Sequence, residues 1–330
     1  MSIYLDHFGL TEAPFRITPH TDFFFDGANR GATLEALLYA ITHDEGIVKV
    51  TGEVGTGKTM LCRVLMERLP ENVTTVYLAN PSLEPDALLR AIATDIGLPA
   101  SKSQDSHGLT SLLQEYLIRL YAAGKRVVVL IDEAHAMPQE SLEEVRLLSN
   151  IESSRHKLLQ LVLFGQPELD EILTLNAMRP LRERITQIFR LEALRLSDIS
   201  AYVNFRLKQA GQRGRSLFDE GALKLLAQHS EGLTRRVNIL ADKSLLAAFA
   251  DGRDHVEIKH AKAAVVDANF VSISPQPWFA RLTGRQSRLP IAPGWVVLVS
   301  ALVLALVLAI GVAAGFWLVE PLMAGFGIKR

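Results

Sequence analysis

Residues 51–60 read TGEVGTGKTM, and no other stretch of the chain limits its fold so tightly. Gly52, Gly57, Lys58 and Thr59 fit the pattern G-x-x-x-x-G-K-[ST], a turn whose backbone N–H groups wrap a phosphate. Such a turn is useful only between a buried strand and a helix amino terminus, where the helix dipole favours an anion. Both neighbours are present: GIVKVTG before it reads as a short β-branched strand, and Leu61–Leu69 after it as a helix. The stretch Gly52, Glu53, Val54, Gly55, Thr56, Gly57, Lys58, Thr59 and Met60 is therefore the expected nucleotide contact, with the N–H groups of Val54 to Thr59 around the β-phosphate. Lys58 adds a point charge toward the β- and γ-phosphates, and Thr59 offers a hydroxyl to Mg²⁺.

The pattern then repeats. Residues 73–78 (VTTVYL), 127–132 (VVVLID), 158–165 (LLQLVLFG) and 185–191 (ITQIFRL) read as strands. Helical segments lie between them near 85–96, 109–123, 139–149 and 167–175, and one precedes the first strand at 30–41. Apolar strands alternating with helices predict an α/β fold with a parallel sheet sandwiched by helices. After about residue 196 only helical patterns remain, at 198–210, 219–230, 234–250 and 258–269. The expected organisation is an irregular lead-in at 1–30, an α/β core at 31–193, a small all-α lid at 194–270, a Pro-containing linker at 271–293, a membrane helix at 294–319 and a short tail at 320–330.

The carboxyl ends of the strands carry the chemistry. Residues 127–135 (VVVLIDEAH) deliver Asp132 to the sheet edge, where a carboxylate can hold Mg²⁺ beside Thr59. Glu133 follows as a candidate base for the water that attacks the γ-phosphate. Two capping acids at a strand-to-helix turn would look the same in isolation, but not downstream of a phosphate loop. The strand LVLFGQPEL ends in Gln166, placed to orient that water or simply to make a turn. RPLRERI puts Arg179, Arg182 and Arg184 before the last strand, where a guanidinium could reach a neighbouring subunit's phosphate. Arg235 and Arg236 open a helix, an unfavourable place for cations that implies an anionic partner.

The apolar stretch Trp295–Val319 holds no charged residue, and as a helix it would be about 37 Å long, enough to span a bilayer core. Arg281, Arg285 and Arg288 precede it, while Glu320, Lys329 and Arg330 follow. The bias of positive charge predicts a single-pass protein of the inner (cytoplasmic) membrane with its large amino-terminal part in the cytoplasm. No basic-then-apolar leader opens the sequence, and a single cysteine, Cys62, excludes an internal disulfide. The formal net charge of -1 argues against nucleic acid as a partner, and the basic residues Arg206, Lys208, Arg213 and Arg215 read as a solvated face.

Together these motifs resemble an AAA+ ATPase, with Walker A at GEVGTGKT and Walker B at LIDEAH. More narrowly the chain resembles the ExeA/GspA-type ATPases of bacterial secretion and pilus biogenesis, through FGLTEAPF, TPHTDFFF, FGQPEL, RERI and LTRRVNILADKSLLAAFADG as well. That resemblance implies a P-loop NTPase (AAA+) fold, with Gln166 as sensor 1, Arg235 as sensor 2 and Arg184 or Arg182 as the finger. It also implies ATP and Mg²⁺ as ligands and a homo-oligomer, with a hexameric ring as the candidate form. The expected partners are membrane-embedded secretion or pilus assembly proteins. Two departures stand out: only eleven residues follow the apolar stretch, where GspA-type members carry a peptidoglycan-binding domain, and Thr234 replaces a common proline. The function expected is a membrane-anchored ATPase that drives a secretion, pilus or envelope-export system. The alternative is a DNA-associated regulator of the TniB-like transposition branch.

Overall fold

A computed structural model describes residues 3–43, 46–79, 82–98, 106–152 and 157–270. The expected linker (271–293), membrane helix (294–319) and tail (320–330) lie outside them. Among the described residues no helix is long and apolar enough to cross a membrane.

Five parallel strands form one sheet in the order β2-β3-β4-β1-β5. They are β1 (Ile47–Thr51), β2 (Val73–Leu78), β3 (Arg126–Ile131), β4 (Leu159–Gly165) and β5 (Ile185–Arg190). All residues of β1 and β4 are buried, which is what strands covered on both faces require. Helices α1 (Arg30–His43) and α2 (Lys58–Arg68) cover one face, packing Leu34, Leu37, Leu61 and Leu65 on Val48, Val50 and Leu130. The other face is covered by α3 (Pro85–Asp95), α4 (Ser106–Ala122), α5 (Gln139–Leu148), α6 (Glu168–Thr174) and α7 (Arg179–Arg182). Leu109, Leu113 and Leu117 of α4 recur every four residues and are fully buried, a stripe that fixes that helix on the sheet.

One expectation is corrected here. The strands are not apolar throughout, because β5 is an edge strand that alternates half-buried and exposed residues. Lys49, in the middle of buried β1, is tolerated because Asp170 of α6 neutralises it.

The chain continues into α8 (Ile199–Gln209), α9 (Glu220–Ser230), α10 (Thr234–Ala250) and α11 (Ile258–Ala268). Their shared core contains Tyr202, Val203, Leu226, Leu240 and Leu245. It also contains Tyr4, Phe8, Leu10, Phe15 and Phe23, so the aromatic lead-in is part of the helical bundle's core. Arg206 of α8 ties it down, donating from Nε to the Pro14 carbonyl at 2.6 Å and stacking over Phe23 at 4.6 Å. The expected solvated basic face therefore loses Arg206, which is buried, while Lys208, Arg213 and Arg215 stay exposed. Residues Met1–Phe270 form one compact unit.

Candidate nucleotide site

The phosphate loop leaves β1 and enters α2 with two glycines that no other residue replaces cheaply. Gly57 sits at φ 103°, a left-handed backbone strained for any L side chain. At Gly52 a Cβ would meet the Leu191 carbonyl oxygen at 2.6 Å, because the turn passes directly under the end of β5. The first N–H groups of α2 have no intrahelical acceptor. The Thr56 N–H, one of the donors expected from Val54 to Thr59, turns back to the Glu53 carbonyl at 3.2 Å.

Lys58 is buried and its ammonium donates to the carbonyls of Gly52 (2.7 Å) and Glu53 (3.1 Å). Burial pulls its pKa down, an effect opposed by the charges of Glu133 and Asp132. Thr59 donates its hydroxyl to Asp132 Oδ2 at 3.0 Å. Tyr77 of β2 donates to the same oxygen at 3.1 Å, and Oδ1 accepts the Glu133 N–H at 2.9 Å. Burial first, and the Asp132 charge second, push the Tyr77 hydroxyl upward, so it remains a donor.

Glu133 adopts φ 52°, ψ 36°, a left-handed conformation that costs a non-glycine residue about 1–2 kcal/mol. This strained turn brings its carboxylate to the cavity beside the loop. There Gln166 Nε2 donates to Glu133 Oε2 at 3.2 Å, and His135 Nδ1 lies 3.4 Å from the same oxygen. Lys58, Thr59, Asp132, Glu133 and Gln166 are thus joined along one sheet edge, although they come from three separate segments.

The cavity has a volume of about 300 Å³, at the lower limit for a small-ligand pocket. Val54, Gly55, Thr56, Gly57, Lys58, Thr59, Met60 and Glu133 line it, and so does Arg235. Gly52 and Glu53 build the turn without lining the cavity, and Asp132 and Gln166 act on it through Thr59 and Glu133. The opposite wall was not foreseen. It consists of Arg16 to Pro19, Phe23 to Phe25, Arg30 and residues of the helical bundle, among them Tyr202, Arg206 and Asn238. Arg30 is buried and donates to the Thr56 and Glu192 carbonyls, at 3.2 and 3.3 Å. Burial lowers the pKa of both Arg30 and Arg206. Neither is in an ion pair among the described residues, so their charge makes the cavity favourable to an anion.

The α10 amino terminus meets the phosphate loop directly. The Arg235 N–H (3.1 Å) and the Thr234 hydroxyl (2.7 Å) both donate to the Gly55 carbonyl. Thr234, in place of the common proline, thereby supplies a link that proline could not. Arg235 is exposed toward the cavity, but Arg236 pairs with Glu231 at 2.9 Å, so the anionic partner expected for it is internal.

Arg182 and Arg184 stand apart. The Arg184 carbonyl accepts the Ile47 N–H at the start of β1, a strand's length of about 16 Å from the loop. Arg182 donates to the Leu173 carbonyl at 3.2 Å, and Arg179 lies 3.9 Å from Glu183. None of the three joins the site of its own chain.

A hard divalent cation that takes one or two protein oxygens and completes its shell with phosphates and water fits the Thr59–Asp132 pair.

Sheet order, phosphate loop and acidic strand end define a P-loop NTPase domain. Residues 41–173 match the AAA domain family. Over 250 residues, 76% of the chain, the sequence is 42% identical to General secretion pathway protein A of Aeromonas hydrophila, and the chain belongs to that ExeA/GspA family. The chain spans only 46% of that relative. Among solved structures, the Aeropyrum pernix ORC2 protein superposes with a TM-score of 0.60 at 17% identity, covering 81% of this chain and 75% of that one. Cdc6p from Pyrobaculum aerophilum gives 0.60 at 17% identity over 78% and 72%. A Walker-type ATPase of Pyrococcus abyssi gives 0.56 at 13% identity over 77% and 75%. At these identities the structures share the fold alone.

Proposed function

We propose that the chain is a membrane-anchored ATPase that hydrolyses ATP with Mg²⁺ and uses the cycle to assemble or operate a bacterial secretion or pilus system. The observation that carries the chemistry is the hydrogen-bonded run from Thr59 through Asp132 to Glu133 and Gln166 beside the phosphate loop. In this reading Thr59 and Asp132 hold the metal, which supplies charge neutralisation on the phosphates. Glu133 takes the proton from the attacking water, Gln166 orients that water, and Lys58 holds the transferred phosphate. Arg235, on the helix that touches the loop, reports loss of the γ-phosphate to the helical bundle.

Arg182 or Arg184 would serve a neighbouring copy, since each lies at the far end of the sheet from its own loop, and this makes a homo-oligomer part of the proposal. The division into a core at 31–193 and a lid at 194–270 belongs to it too. So does a single span at 294–319 that keeps the ATPase in the cytoplasm. The relative's secretion name and the apolar stretch support the membrane setting. No observation favours the transposition-regulator alternative.

Turnover and binding of Lys58→Ala and Glu133→Gln test this. Lys58→Ala should lose nucleotide binding. Glu133→Gln should bind ATP but turn over about 100-fold or more slower, the lower limit for loss of a general base. Hydrolysis at the wild-type rate in both variants would sink the proposal.

A further inference from the structure

Asp132 is held on three sides, and only two of those contacts belong to the expected motifs. Its Oδ1 accepts from the Glu133 backbone and its Oδ2 from Thr59, as a carboxylate at the end of a strand beside a phosphate loop can. The third contact comes from β2. Parallel register sets Tyr77 opposite Leu130 and Leu78 opposite Ile131, and the Asp132 N–H continues the ladder to the Leu78 carbonyl at 3.0 Å. Side chains alternate faces along a strand, so Leu130 and Asp132 point to the α2 side of the sheet, and Tyr77 points the same way from the next strand. The phenol therefore reaches Oδ2 from the β2 side while Thr59 reaches it from α2.

We propose that Tyr77 is a positioning residue for the metal-holding carboxylate, fixing Asp132 so that its orientation toward Mg²⁺ is set before nucleotide arrives. An ionised carboxylate only accepts hydrogen bonds, and a buried one with a single anchored oxygen can still rotate about its Cβ–Cγ bond. Oδ1 is held by the Glu133 N–H, and Tyr77 keeps Oδ2 anchored when Thr59 turns its hydroxyl toward a cation, so rotation stays blocked with the metal bound. Tyr77 also leaves Thr59 a choice: its hydroxyl oxygen can face a cation without abandoning Asp132 to an unpaired state. Asp132 is only 3% exposed, so water is a poor substitute for either hydroxyl. The inference rests on the ATPase reading above, but it concerns a residue outside that reading's machinery.

The experiment is a titration of Mg²⁺ against the affinity of the full chain for a fluorescent ATP analogue, for wild type and Tyr77→Phe, with a parallel measurement in EDTA. Tyr77→Phe should need roughly tenfold more Mg²⁺ to reach half of its metal-linked gain in affinity, the lower range for the partner of a metal ligand. Its affinity in EDTA should match wild type. An unchanged Mg²⁺ midpoint overturns the proposal, and so does an equal loss with and without metal, which would make Tyr77 a packing residue only. Asp132→Asn supplies the second variant: adding Tyr77→Phe to it should change nothing, and additive losses overturn the assignment. Failure of the wild type to bind the analogue in any condition removes the ATPase reading itself, and the role of Tyr77 with it.

Discussion

The two walls of the nucleotide cavity are built by opposite strategies. One wall is a continuous run, Val54 to Met60, shaped by glycines and a helix start. The other is assembled from Arg16 to Phe25 and from α8 and α10, residues about 190 positions apart in the chain that meet through aromatic packing and Arg206. The first wall offers donors for phosphates and takes its shape mainly from its own glycines and helix start. The second exists only while the lead-in is held on the helical bundle. Chemistry and cohesion are therefore separable by mutation.

Arg206→Met should break the second wall with the larger stability effect. It deletes hydrogen bonds to the Pro14 and Arg16 carbonyls and the stack on Phe23, while keeping an apolar stem in the space. Charge-assisted bonds at a buried site set the cost at about 2–3 kcal/mol. A thermal or urea melt should show that loss, together with weaker nucleotide binding. Lys58→Ala should show the reverse, lost binding at a smaller stability cost of about 0.5–1.5 kcal/mol for its bonds to the Gly52 and Glu53 carbonyls. If both variants lose stability equally, the two walls are one cooperative structure and the distinction fails.

A smaller effect is expected where the walls touch. Thr234→Ala removes one of two donors to the Gly55 carbonyl, and the Arg235 N–H remains to satisfy it, so the cost should be only about 0.5–1.5 kcal/mol. Proline is well suited to the first turn of a helix, so Thr234→Pro should cost no more than alanine. A much larger loss with proline would mean that the loop relies on the Thr234 backbone as well as its hydroxyl.

The sequence announced the elements because their signals are local. β2 runs over Val73–Leu78 and α10 over Thr234–Ala250, as their periodicity predicts, and the phosphate loop is a contiguous pattern. The second wall was hidden because nothing local marks a lead-in as the partner of helices 190 residues away. A signal did exist: Arg206 falls in the buried stripe of α8 with Ile199, Tyr202, Val203 and Leu207, and a cation on an apolar face needs an explanation. Tyr77 was hidden differently. In an apolar strand a tyrosine reads as β-propensity, and only the register against β3 shows that its hydroxyl points where Asp132 does. Gln166 and Glu133 were legible as strand-end polar residues, but their mutual contact and the left-handed turn at Glu133 were not.

The smallest expected effect lies in the helical bundle, at a group that neither wall uses, and it tests whether bundle stability alone moves the site. Asp251 follows α10 and holds Lys259 at 2.6 Å and His260 at 3.1 Å, with Arg253 at 3.8 Å. The Lys259 hydrogen bond first, and the His260 bond second, hold its carboxyl down at about 2, against an ordinary value of 3.8. A carboxylate depressed in the folded state binds protons more weakly there than when unfolded, so its stabilisation is complete above pH 3.8 and disappears as pH falls through about 2. Asp251→Asn removes that contribution at every pH. The difference in melting temperature between wild type and variant should therefore be small and constant at neutral pH, and shrink toward zero between pH 4 and pH 2. Nucleotide affinity at neutral pH should not change, because the site touches α10 at Thr234, Arg235 and Asn238, toward the other end of the helix. A loss of affinity in Asp251→Asn would show that α10 transmits its far end to the phosphate loop, joining bundle and cavity more tightly than their hydrogen bonds alone suggest.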